Sequence, residues 1–134
     1  MTKLSVALLL TVLVAQAKAL PCAKLDASGI FVGKIVPTQF YGPPNFGEDP
    51  AQDGRGVYPV LKLDRPLRLC EVLDWSDEAD AHIVRSMQVI FYKPPFGKNW
   101  NGKRVIVRGK LFASENGNQH TPVMLDLSKI ELAP

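Results

Sequence analysis

The sequence predicts an all-β domain: a small OB-like β-barrel of five or six strands, held by one disulfide. Three observations carry this expectation. From Gly102 to Ile130 two β-rich runs flank a polar turn, Glu115-Asn-Gly-Asn118, in the pattern of a closing hairpin. Upstream, further strand-like runs are interrupted by short irregular links. Finally, two cysteines, Cys22 and Cys70, stand in a chain that begins as exported proteins do.

The amino end comes first. Met1 to Ala19 has the build of a secretory signal peptide, with Lys3 as the positive start and Leu4 to Ala15 as the apolar core. Ala15-Gln-Ala17 and Ala17-Lys-Ala19 are both A-x-A cleavage sites. Cutting after Ala19 leaves residues 20–134 as a single domain. The apolar core, twelve residues long, is too short to span a bilayer comfortably, so no stable membrane insertion is expected after cleavage. Pro21, directly before Cys22, speaks against a lipoprotein site. The expected address is periplasmic or secreted. Loss of Lys3 and Lys18 takes 16 basic residues to 14 against 13 acidic ones, and the formal net charge from +3 to +1. The basic balance of the precursor is therefore no argument for nucleic acid as a partner.

In an exported chain Cys22 and Cys70 read as a disulfide, worth roughly 4 kcal/mol in the chain-entropy model. The rival readings are two free thiols or a metal-ligand pair; neither has a Cys or His neighbour in support.

Leu25 to Phe40 is the first strand region. Gly29, Phe31, Gly33 and Ile35 alternate with Ile30, Val32, Lys34 and Val36, and the two glycines suggest strong bending. Tyr41 to Val57 breaks all periodicity; its four glycines, three prolines and three acids make a long loop, of the kind that is functional or mobile. Tyr58 to Leu63 is a strand, Asp64-Arg-Pro66 turns it, and Leu67 to Val72 continues the sheet. Trp75 to His82 reads either as one short capped helical turn or as an exposed acidic loop. Ile83 to Tyr92 is the third main strand, ended by Pro94 and Pro95. In the closing hairpin Val105, Val107 and Leu111 share one face, as do Thr121, Val123, Leu125 and Leu127 on the return run.

Four places carry a resemblance: Gly42-Pro-Pro-Asn-Phe-Gly-Glu48, the run Tyr58 to Leu63 with Asp64-Arg-Pro66, Cys70, and Gly102-Lys-Arg-Val-Ile-Val-Arg-Gly-Lys-Leu-Phe112 running on to His120-Thr-Pro-Val123. In order and spacing they resemble a family of small exported bacterial domains of unknown function, with a Gly-x-Pro-Asn-aromatic-Glu loop and a terminal Gly-x-x-Val-x-Val-x-Gly-x-Leu-Phe hairpin ending in His-His-Thr. The resemblance covers nearly all of the mature chain. It implies an exported address and a paired cysteine, and no known chemistry. Gln119 stands where that pattern often has its first histidine, which weakens any metal reading built on paired histidines. Gly47 separates Phe46 from Glu48, so either Glu48 or Asp49 takes the family's acid position.

For chemistry, His120 is the best single candidate, against the plainer reading of a hydrogen-bonded structural residue. His82 is far away in sequence, and nothing in the spacing of the two histidines with Glu48, Asp49 or Asp53 argues for zinc or calcium. No Gly-x-Ser-x-Gly elbow exists and both cysteines are consumed, so an enzyme is not expected, and neither a metal nor a cofactor. Phe40, Tyr41 and Phe46 flank the proline loop; Tyr92, Phe96 and Trp100 flank a second link, interleaved with Lys93, Lys98, Lys103 and Arg104. Such a mixture can stack on sugars or bases, or simply cap the barrel ends in a solvated shell. The expected function is a non-enzymatic binding module of the bacterial envelope, engaging a protein or glycan through Asn45, Phe46, Glu48, Trp100, His120 and Thr121. The alternative is a small inhibitor or immunity-type protein acting against a secreted hydrolase.

Overall fold

The computed structural model describes residues 22–71, 73, 82–90 and 99–134. The expected signal peptide at 1–19 lies outside these residues, as do the link expected at 75–81 and the aromatic-basic residues Tyr92, Lys93, Phe96 and Lys98. Among the described residues there are five strands: β1 (Ser28–Tyr41), β2 (Arg55–Arg68), β3 (Ile83–Ile90), β4 (Arg104–Ala113) and β5 (Val123–Leu132). They close into a barrel in the order β1-β2-β3-β5-β4, the OB-like arrangement expected. Every pairing is antiparallel except β3 with β5, which run parallel over Gln88 to Ile90 and Met124 to Asp126. Among the described residues no helix is long and apolar enough to cross a membrane.

Strand alternation builds the core. Phe31 and Ile35 of β1, Leu61 of β2, Met87 and Val89 of β3, Val105, Val107 and Leu111 of β4, and Val123, Leu125 and Leu127 of β5 all point inward and pack as one cluster. Burying each such side chain is worth about 1.5–3 kcal/mol. β1 is shared between two neighbours: Ser28 to Lys34 pair with β4, and Gly33 to Tyr41 pair with β2. Gly33 sits at the handover, opposite both Leu63 and Val105, where a Cβ would run into the Lys62 carbonyl. The bend expected from the strand glycines is thus a close approach of backbones.

One expectation is corrected. Asp64-Arg-Pro66 does not turn the chain; β2 runs on unbroken to Arg68. The irregularity is taken up on the β3 side, where the step from Lys62 to Leu67 faces the shorter step from Ser86 to Val84. A proline is tolerated there because a bulge needs no ladder donor from it. Across β1, Arg104 holds Asp64 with its Nε at 2.9 Å and its Nη2 at 2.6 Å.

Cys22 and Cys70 are bonded, with Cα atoms 4.9 Å apart. Beside them the Ala23 N–H donates to the Arg68 carbonyl (2.7 Å) and the Cys70 N–H to the Ala23 carbonyl (2.8 Å), so the amino end is fastened to the end of β2. A disulfide is consistent with an oxidising, exported location.

Candidate functional site

Two loops meet at one end of the barrel. The β1–β2 loop (residues 42–54) is framed by Gly42, whose N–H donates to the Gly54 carbonyl at 2.7 Å, and by the Gly54 N–H to the Pro43 carbonyl at 3.0 Å. Its interior is organised by Asp53, only 7% exposed. Asp53 Oδ1 accepts the Asn45 N–H at 2.7 Å, and Oδ2 accepts those of Gly47 at 2.7 Å and Asp49 at 3.2 Å. Burial pushes this carboxyl upward, but the three backbone donors outweigh it and hold the group below the ordinary carboxylate range. At the tip, Phe46 (φ 51°) and Gly47 (φ 100°) are both left-handed. That geometry turns the Phe46 ring outward, 54% exposed, and over Gly117 of the facing loop. A Cβ at Gly117 would lie 2.9 Å from the ring edge, so a side chain there would displace the Phe46 ring. At the base of the loop, the Arg55 guanidinium lies 5.2 Å from the centre of the Tyr41 ring.

The β4–β5 loop (residues 114–122) lies on the outward side of the sheet. The His120 ring stacks on Phe40 with centroids 4.7 Å apart and planes 5° from parallel, and meets Tyr58 at 4.7 Å. Gln88 of β3 fastens the loop: its Oε1 accepts the His120 N–H at 2.7 Å, and its Nε2 donates to the Asn118 carbonyl at 3.0 Å. The Gln88 N–H in turn donates to Thr121 Oγ1 at 2.8 Å, and that hydroxyl donates to the Val123 carbonyl at 2.7 Å. Beneath lies a row in register across three strands, Val60, Gln88 and Met124, with each neighbouring pair directly opposite. These side chains point away from the barrel core, yet Val60 is 2%, Gln88 5% and Met124 0% exposed. The loop docks on Gln88 and Met124 of this row. His120 Nε2 is buried there without a hydrogen-bond partner, and burial pushes the imidazole below the ordinary histidine range.

The residues expected from the sequence are therefore partly gathered. Asn45, Phe46 and Glu48 lie on one loop, His120 and Thr121 on the other, and the two loops touch where Phe46 crosses Gly117. Glu48 is exposed, whereas Thr121 is buried and both halves of its hydroxyl are used. Trp100 packs against the barrel core instead, its Nε1 buried without a partner. His82 sits by the disulfide, its carbonyl accepting the Leu69 N–H at 2.7 Å. Among the described residues no group of three or more His, Cys, Asp or Glu side chains is placed to hold a metal ion.

Residues 86–131 match a domain of unknown function, DUF4431. The DUF4431 segment runs from the later part of β3 through β4 and β5, and so includes Gln88, His120 and Thr121. It fits the expectation of a small family of unknown function. No curated protein and no solved structure matches the chain. Sequence reading missed Phe40, Tyr58 and Gln88 as partners of His120, and Asp53 as the organiser of its loop. A glutamine between Met87 and Val89 was the available signal for Gln88.

Proposed function

We propose that the chain is an exported, non-enzymatic binding module of the bacterial envelope that engages a protein or glycan through its rim loops. The observation that carries this reading is the presentation of Phe46. An exposed apolar ring rides on a left-handed backbone, a conformation that costs a non-glycine residue on the order of 1–2 kcal/mol. The Asp53 hydrogen bonds and the Gly117 seat hold it there regardless. A loop kept in one shape loses little freedom on binding, and a rigid aromatic is the usual anchor of an interface. OB-type barrels take ligands with the β1–β2 and β4–β5 loops, the two that touch here. Trp100, with Lys103 and Arg104, is a second contact region on this reading. A periplasmic or secreted address belongs to it too, supported by the Cys22–Cys70 bond.

The test is retention of partners from envelope extract by immobilised wild type and by Phe46→Ala, Trp100→Ala and His120→Ala. Binding weakened about tenfold or more by Phe46→Ala is the expected result. Identical retention by every variant overturns the reading. The same stiff loop also suits the inhibitor alternative, because a preorganised loop can fill a hydrolase cleft. A deletion strain that suffers only when such a hydrolase is present would favour that role, and equal fitness in both conditions removes it.

A further inference from the structure

The outer side of β2 and β3 is the ligand-bearing face of OB-type barrels. In this chain the β4–β5 loop docks there on Gln88 and Met124, and the row Val60, Gln88 and Met124 is almost without exposure. The cover is held by the stack of His120 on Phe40 and Tyr58 and by the hydrogen bonds of Gln88. We propose that this loop is a pH-released cover with His120 as its latch: protonation of the ring undocks residues 114–122 and bares an apolar strip with one carboxamide at its centre. Charging the imidazole places a second ring N–H among groups that offer it no acceptor, because Nε2 is buried without a partner. The Phe40 ring attracts a cation, but its face cannot accept that in-plane hydrogen bond in the stacked geometry. Among the described residues the side chains from other elements that meet His120 are Phe40 of β1, Tyr58 of β2 and Gln88 of β3. Glu115, on the same loop, makes its described hydrogen bond through its backbone, to Gln119 Oε1. No described hydrogen bond or ion pair gives the ring a carboxylate counter-ion.

Burial already disfavours the charged ring. The folded pKa lies below the unfolded one, so the docked loop keeps its full stability above the ordinary histidine range. That stability is lost as the pH falls through about 6.5 towards the folded value. The device is independent of the rim-binding reading, since its state is measured with no ligand present. The experiment follows, by NMR on the whole folded domain, the His120 ring shifts and the Gln88 amide exchange between about pH 8 and pH 5, corrected for intrinsic rates. Protection of Gln88, whose N–H is held by Thr121, is expected to fall about tenfold or more, with a midpoint matching the His120 titration, while Val107 stays protected. His120→Phe, a ring that stacks and cannot titrate, should keep Gln88 protected throughout; His82→Asn should behave as wild type. Unchanged Gln88 protection through the His120 titration overturns the proposal, and so does the same loss in His120→Phe. Should His120→Phe not fold, the coincidence or mismatch of the two wild-type midpoints decides.

Discussion

At the scale of single residues, Asp53 does for its loop what a ladder does for a strand. Its two oxygens take three amide protons that no neighbouring backbone could reach. Asp53→Asn turns one of those oxygens into an NH2 group facing donors. The amides of Asn45, Gly47 and Asp49 should then exchange with solvent roughly ten to a hundred times faster, with strand amides unchanged, as hydrogen exchange would record. Acid acts in the same direction. The folded pKa of Asp53 is depressed, so its stabilisation is present above the ordinary carboxylate range and is lost as the pH falls through about 4 and below. Phe46 was legible in the sequence, because an aromatic in a Pro-Gly loop has no strand face to join. Asp53 was not, because a solvated aspartate and a clamped one have the same spelling.

Among the elements, β1 shows how a short barrel closes. One strand serves two partners, and Gly33 is the residue they share. Gly33→Ala would drive a methyl group into the Lys62 carbonyl. A loss of about 3 kcal/mol is expected, visible as a lower urea midpoint at unchanged slope. The inward faces of β4 and β5 were readable from period-2 alternation; the bend expected at the strand glycines is a close approach of backbones at Gly33 instead. Two things were not readable. Asp64-Arg-Pro66 has the composition of a turn, but the Arg104–Asp64 contact and a bulge keep it within β2. Likewise, alternation assigns Val60, Gln88 and Met124 to a solvent face, because what covers them is a loop whose docking no local pattern encodes.

For the molecule as a whole, fold class and disulfide were both legible, since they depend on composition and on strand-length patterns rather than on any single contact. The bond between Cys22 and Cys70 spans 48 residues. Replacing both cysteines by serine should lower the unfolding free energy by roughly 4 kcal/mol, measured by urea denaturation against the oxidised wild type. The register of the parallel contact between β3 and β5 was not legible, since it leaves no mark in either strand. That contact has a consequence for the timing of synthesis. Ribosomes deliver a polypeptide from its amino end, and the piece that seals this ring, β5, is the last of the five described strands to emerge. A nascent chain therefore carries β4, β1, β2 and β3 as an open ribbon with bare margins on β3 and β4 until β5 arrives. A premature stop just ahead of Val123 would yield no shortened domain, only a ribbon left exposed to aggregation and proteolysis.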